Sequence, residues 1–482
     1  MMIKVKSFGF SLYALAVSTV GLLTLFNSPS SSISTGDGAA LGDSSKVLMS
    51  KALIGVMCTL ALIAPLLISH FLPGSDPIIF PIVLLLNCIG LTQIYSIDLS
   101  IDDLIDGYIF AINSQFIFSV ISIAFLTVGV ILLKDHRKLR RFIYTCMAAG
   151  IICIILPLIP GLGLEANGAS VWIKLGPLGT MQPAEFAKIF LSIFFAGYLT
   201  VNSERLKSAG RRILGLQLPR LQDLGPILVV WFISLLILVF QHDLGTSLLF
   251  FGLFIMMLYT ATGKVSWAVI GIGLFMGGAY LATKVFSHVA TRIEIWLDPF
   301  NPEIYQRSFG GSGQVVQGFF ALANGGMLGT GFGQGFPILT PFSNSDFIYS
   351  ALGEELGLTG LLAILVLYLL LIERAISISL SVNDRFGKLL ACGIAFSISL
   401  QIFVVVGGVT GIIPITGLTL PFIARGGSSL FANYMMICIL IVISNARSKA
   451  PGVIRTPSAT KAIPEKAKIL EEVPIEEVAR SR

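Results

Sequence analysis

RIEIWLDPFNPEIYQRSFGGSGQVVQGFFALANGGMLGTGFGQGFPILTPFSNSDFIYSALGEELG, residues 292–357, is the longest connection between apolar runs in the chain. It carries ten glycines between Gly310 and Gly335, then delivers Asp346 straight into the next hydrophobic run. An acid at the mouth of a membrane helix is costly and is seldom kept without a function. The remaining chain reads as membrane scaffolding that places this connection, and a few other charged groups, at one face of a bilayer.

Composition supports that reading. Of 482 residues, 55% are hydrophobic and 12% charged, with a mean hydropathy of +0.88; an average soluble domain has about 25% charged residues. The net charge of +6 comes from basic residues dispersed in short loops beside apolar runs, where they orient helices. That pattern is not a nucleic-acid-binding surface. The six cysteines sit inside apolar runs without metal-ligand spacing and read as small core residues.

Apolar runs near residues 8–26, 48–72, 76–96, 114–133, 142–160, 183–200, 225–241, 244–262, 266–287, 347–373, 388–412 and 420–444 approach the roughly 20 residues a bilayer demands. The expected fold is an all-α polytopic membrane protein of about 12 transmembrane helices. The first run, preceded by Lys4 and Lys6, is long for a signal peptide and reads as a retained helix.

Basic residues test the count, because they should gather in alternate loops. Lys134, Arg137, Lys138, Arg140 and Arg141 fill one loop; Arg205, Lys207, Arg211, Arg212 and Arg220 fill the next but one. Lys264, then Arg374, Arg385 and Lys388, continue the alternation, whereas the loop from Ser96 to Asn113 carries Asp98, Asp102, Asp103 and Asp106 and no basic residue. Both termini are therefore expected in the cytoplasm, with the loop 288–345 outside. The chain divides into an N-terminal two-helix segment (1–75), a membrane core (76–445) and a tail (446–482) whose prolines and mixed charge suggest a disordered cytoplasmic extension.

Charges at membrane depth cost about 2.5–3.5 kcal/mol each on the translocon scale unless paired or solvated. Glu185 and Lys188, in QPAEFAK behind Pro183, stand three apart on one helical face, either as a local ion pair or as a substrate contact. Asp243, in QHDLGTS, is pinned at an interface as a helix cap or as part of a site. The adjacent His242 lacks a second ligand at metal spacing. Glu354 lies two turns below Asp346 and within about 80° of it around the helix, so it could share the same cavity; Glu355 points nearly opposite. The glycines upstream suggest either a backbone held close to a polar ligand or plain flexibility. The last turn, broken by Pro414, Gly417, Pro421 and Gly426, reads as a segment lining a cavity. It brings Arg425 to the side of Asp346, as a snorkelling interfacial residue or as part of a site.

At these residues the chain resembles the FtsW/RodA/SpoVE group of bacterial peptidoglycan polymerases. The matching motifs are Gln182-Pro-Ala-Glu-Phe-Ala-Lys188, Asp243-Leu-Gly-Thr246, Trp296-Leu-Asp-Pro299, the run Gly325-Gly326…Gly329…Gly331…Gly333, Asp346-Phe-Ile…Glu354-Glu355-Leu-Gly357, and Pro414…Gly417…Pro421…Gly426-Gly-Ser-Ser429. The resemblance covers about residues 79–445. It implies a core of ten spans, making the two before it additions of the kind associated with actinobacterial, RodA-like members. The departures are Ala184 for a customary serine, His242 for a proline, Val171 for an arginine and Ala424-Arg425 for Ser-Tyr. None removes a carboxylate.

The resemblance implies glycosyl transfer at the outer face of the bacterial cytoplasmic membrane. Lipid II, a disaccharide-pentapeptide on undecaprenyl pyrophosphate, is joined to a growing glycan by one inverting displacement. It further implies Asp346 as catalytic base and as a candidate metal contact. Glu185, Lys188, Asp243, Arg292, Gln317, Glu354 and Arg425 form the substrate-binding set, with Lys188, Arg292 and Arg425 supplying positive charge. A divalent cation (Mg2+ or Mn2+), no organic cofactor, and a class B penicillin-binding protein among other elongasome or divisome partners complete the expectation. A lipid II flippase, or a noncatalytic scaffold for the transpeptidase, are the competing classes; inverted repeats mark many carriers, and the halves of this sequence show no convincing repeat, while its charged groups cluster at one face.

Overall fold

The computed structural model describes residues 40–102, 111–166, 169–174, 179–207, 212–213, 216–217, 221–241, 243–307 and 310–447. The run at 8–26, His242, Asp103, Asp106 and the tail beyond residue 447 lie outside them.

Fourteen α-helices make up the described chain: α1 (Ala40–Phe71), α2 (Ile79–Asp102), α3 (Ala111–Leu133), α4 (Ile143–Ile155), α5 (Pro183–Lys207), α6 (Leu221–Phe240), α7 (Leu244–Thr262), α8 (Ser266–Val285), α9 (Ser287–Leu297), α10 (Pro302–Tyr305), α11 (Gly313–Gly325), α12 (Ile348–Ser381), α13 (Arg385–Val409) and α14 (Gly427–Arg447). Among the described residues nine helices are long and apolar enough to cross a membrane, and two shorter apolar stretches, Gly55–Phe71 and Leu228–Ile237, fall where α1 and α6 were expected. A small antiparallel sheet follows α4, with β1 (Gly163–Ala166), β2 (Ala169–Lys174) and β3 (Thr180–Met181) in that order and Leu164 opposite Trp172.

One apolar core runs through the bundle. Helix α1 packs along α3, burying Met57, Ala61, Ala64 and Ile68 at helical spacing. Helix α14 packs on the same α3, and α12 lies against α13. Helix α2 runs further than the apolar pattern indicates: Asp98 is helical and fully buried, and its Oδ2 accepts from Ile112 N at 2.7 Å. It thereby caps the start of α3 instead of standing in a loop.

Two features depart from the sequence reading. The connection 288–345 is not an open loop, since α9, α10 and α11 occupy much of it. And α12 is broken at Gly357 (φ 68°, ψ −175°) into a short and a long half. The freed backbone is taken up by the glycine-rich segment after α11: Leu358 N donates to Gly326 O (2.9 Å), Thr359 N to Met327 O (3.1 Å), Thr330 N to Glu354 O (3.0 Å) and Gly331 N to Glu355 O (2.9 Å). This satisfies the rule that irregular backbone near the membrane must be buried in protein. A Cβ on Gly357 would meet Gly329 N at 2.3 Å, and one on Gly329 would meet Glu355 O at 2.2 Å. The glycines thus serve a backbone-to-backbone contact.

Gly357 occupies a region of backbone space that is essentially closed to other residues, where strain costs on the order of 1–3 kcal/mol before any clash. Gly357→Ala should therefore clearly lower the thermal denaturation midpoint of the detergent-solubilised protein. Gly273→Ala is the control, because its Cβ would stand in open space on α8, and it should be neutral or slightly stabilising. Equal midpoints for the two variants would refute the assigned break.

Candidate active site

The hub of the site is the broken segment between α13 and α14, residues 410–426. Five polar side chains from four helices converge on its backbone. Gln401 of α13 donates from Nε2 to Thr419 O (2.9 Å). Arg292 of α9 donates from one guanidinium nitrogen to Ile415 O (3.2 Å) and Thr416 O (3.1 Å). Trp296 of α9 donates from Nε1 to Gly411 O (2.8 Å). Gln115 of α3 donates to Ala424 O and accepts from Gly426 N, and the Tyr368 hydroxyl of α12 donates to Pro421 O. So many anchors hold Phe422 at φ 66°, an unusual conformation for a buried aromatic.

Asp346 stands at the mouth of α12 beside this segment. A Cβ on Gly417 would lie 3.8 Å from its Oδ2, and the Arg425 backbone N–H donates to Asn344 O (2.8 Å), tying the two loops together. Burial pushes the Asp346 carboxyl up to about 6, against the pull of the Arg292 guanidinium. Burial in turn lowers Arg292 from its ordinary value, while Asp243 and Asp346 oppose that shift. Arg292 therefore sits within electrostatic reach of two carboxylates, its direction fixed by two carbonyls.

Asp243 caps α7, its Oδ1 accepting from Thr246 N (2.9 Å), while its Oδ2 is buried without a hydrogen-bond partner. Burial raises it; the bonds to Thr246 and the charge of Arg292 lower it, and Glu185 adds to the rise. Glu185 and Lys188, both buried, pair at 2.9 Å, and Lys188 Nζ also donates to Gln401 Oε1 at 2.9 Å. A polar path thus runs from α5 through Gln401 to the broken segment, and past Asp243 and Arg292 to Asp346.

The structure brings together five of the eight residues singled out from the sequence: Glu185, Lys188, Asp243, Arg292 and Asp346. Arg425 borders the mouth with an exposed side chain. Gln317 and Glu354 are engaged elsewhere. Gln317 reaches the Tyr305 hydroxyl (3.4 Å). Glu354 Oε1 accepts from Asn324 Nδ2 (2.9 Å) and Phe336 N (3.1 Å), holding the glycine-rich segment, and Glu355 Oε1 accepts from Ser96 Oγ (2.6 Å). Gln401 and Gln115 escaped the sequence reading. Their signal was an amide inside an apolar helix, which must find a partner in the bundle.

Depth can be judged along α12. From Arg374, within the long half of α12, to Asp346 are 28 residues, at most roughly 40 Å at 1.5 Å per residue, less what the break at Gly357 takes away. A bilayer with its headgroups is about 40–45 Å thick. With Arg374 at one polar interface, this length would bring Asp346 toward the polar region of the opposite side.

Fold and site together define a polytopic membrane protein with a carboxylate–guanidinium mouth at the start of α12. The chain belongs to the cell cycle protein family named for FtsW, RodA and SpoVE, whose model matches residues 77–449. It is 44% identical to the peptidoglycan glycosyltransferase RodA of Mycobacterium tuberculosis over 79% of this chain and 80% of that one. It is 32% identical to the stage V sporulation protein E of Bacillus subtilis over 77% of this chain and 97% of that one. Among solved structures, the fold matches a component of a peptidoglycan synthase complex that coordinates polymerization and crosslinking (TM-score 0.60, 24% identity, 78% of this chain and 99% of that one). It also matches the rod shape determining protein RodA of Thermus thermophilus (TM-score 0.52, 23% identity, 77% and 97%).

Proposed function

We propose that the chain is a peptidoglycan glycosyltransferase that polymerises lipid II, with Asp346 on the outer membrane face and both termini in the cytoplasm. The observation that carries the reading is the buried Asp346 at the mouth of α12 within electrostatic reach of Arg292, which we place where a lipid-linked pyrophosphate would lie. The chemistry needs a base for the acceptor hydroxyl and positive charge for the departing pyrophosphate. A carboxyl near 6 is mostly ionised at neutral pH yet basic enough to accept a proton in the transition state. Arg292 opposes the rise, and exposed Arg425 is the freer cation for the leaving group. Because the donor carbon is α-linked and the product linkage β-1,4, a single inverting displacement suffices and no covalent enzyme intermediate is required.

Among the described residues no three His, Cys, Asp or Glu side chains gather into a metal site. Mg2+ and Mn2+ are nevertheless suited to Asp346, since Mg2+ is commonly held by one or two carboxylates together with substrate phosphates and water. Bound there, the cation would neutralise the pyrophosphate. Glu185, Lys188 and Asp243 fit best as the brace that fixes the broken segment under the substrate, with Gln317 and Glu354 shaping the connection above it. The match to a structure from a synthase complex supports a transpeptidase partner, a class B penicillin-binding protein, alongside other elongasome or divisome proteins. Identity of 44% to RodA of Mycobacterium tuberculosis against 32% to the sporulation protein of Bacillus subtilis favours a part in elongation. Residues 1–75 are read as an addition to the shared core.

The test is purified protein given lipid II, with glycan chains separated on gels and lipid flipping measured in liposomes alongside. Polymer is expected. Flipping without polymer, even with the transpeptidase present, would establish the transporter reading instead.

A further inference from the structure

We infer that the uncharged half of the long connection is seated in lipid, in the leaflet on the Asp346 side, as an apolar apron continuous with the outer surface of α12. Residues 308–345 contain no Asp, Glu, Lys or Arg, unusual for 38 residues meant to stand in water. The described part of the connection exposes large apolar side chains: Leu328 is 82% exposed, Leu297 70%, Met327 64%, Phe300 59% and Phe320 53%. Leaving such a side chain in water forgoes most of the stabilisation its burial would bring.

These residues are linked across α11. At one end, the Phe300 ring lies 6.2 Å from Phe319 and 6.4 Å from Phe320. Nearby, Trp296 donates its indole N–H to Gly411 O, next to exposed Ile412. An indole anchored by its polar edge is at home at a membrane interface. On this side Glu294 and Arg307 cancel in a two-pronged pair at 2.7 and 3.0 Å, and the exposed carboxylates Asp298 and Glu303 mark where the connection turns to water, before the uncharged half begins.

At the other end, the bonds from Leu358 N to Gly326 O and from Thr359 N to Met327 O press Met327 and Leu328 against α12. There Leu358 and Leu362 face outward with 45% and 52% exposure. Those leucines belong to a membrane span, so the surface that begins with them is lipid-facing, and the tip of the connection prolongs it. That continuity favours lipid over a soluble domain as the occupant. The seat sets the mouth at Asp346 at headgroup height.

The experiment uses the full chain in nanodiscs of phosphatidylcholine and phosphatidylglycerol. A bimane fluorophore is attached at Leu328→Cys and, separately, at Phe320→Cys, with the signal of the unsubstituted chain subtracted. Glu303→Cys, on exposed α10, is the reference. Apolar faces of interfacial helices sink about 5–10 Å to the headgroup–acyl boundary, so lipids brominated high on the acyl chain should at least about halve emission at 328 and 320. Iodide in the buffer should quench the reference several-fold more than either. Iodide quenching at 328 and 320 equal to the reference would overturn the inference in favour of an aqueous loop. Resistance to both quenchers would overturn it in favour of a protein contact.

Discussion

Asp346→Asn is expected to lower the rate of glycan synthesis on lipid II by about 10²–10⁴-fold, the usual worth of general-base assistance, and further if a cation contact is lost with it. Asparagine keeps the size and hydrogen-bonding shape of the side chain and removes only the charge. The same residue sets the expected pH dependence. A base must be ionised to act, so kcat/KM of the wild type should rise with pH through about 6 and level off above it. Stability runs the other way. A carboxyl whose folded value lies above its unfolded value binds its proton more tightly in the native state, so its stabilising contribution is present at low pH and is lost as pH rises through about 6. Asp346→Asn should therefore denature at or above the wild-type temperature at neutral pH, which separates a chemical defect from a folding one. Polymerisation at the wild-type rate by the asparagine variant, measured on gels with matched protein, would remove Asp346 from the catalytic position while leaving the fold as described.

How much of this site is visible in the sequence depends on the distance over which each residue acts. Asp243 and the pair Glu185–Lys188 interact within one helical turn, so a cap and an ion pair were among the readings their spacing offered, and the structure shows both contacts. The spans were visible because hydropathy needs no knowledge of neighbours. By contrast, the partner that completes Lys188 is Gln401, 213 residues away, and nothing local identifies it. The break at Gly357 was hidden for a related reason. Gly-Leu-Thr-Gly inside an apolar run is compatible with a continuous helix, and only the approach of residues 326–331 supplies the hydrogen bonds that make a break affordable. Glu354 shows the limit of angular reasoning. Its place on the helix was compatible with the cavity of Asp346, yet Asn324 and the Phe336 backbone take its carboxylate.

The second large effect is expected at Lys188. Its ammonium is buried between Glu185 and Gln401, and removing one partner of a buried pair commonly costs about 3–5 kcal/mol, because the other charge is left unpaired. Lys188→Met should accordingly produce a large fall in the denaturation midpoint in detergent. Glu185→Gln combined with Lys188→Met removes both charges, and replacing a buried pair by uncharged groups is often nearly neutral, so the double variant should recover most of that loss. The recovery then makes activity readable. If the pair serves only to brace the segment that carries Thr419, the stable double variant should polymerise lipid II with a modest reduction, since Gln401 still reaches Thr419 O. If Lys188 contacts the pyrophosphate during transfer, the double variant should be as stable as the wild type and nearly inactive. The geometry favours the first result, because Lys188 Nζ already engages two side-chain oxygens below the mouth, while Arg292 lies within electrostatic reach of Asp346. A double variant that stays as unstable as Lys188→Met would show that the hydrogen bonds of the pair, and not its charge balance, hold α5 against α13.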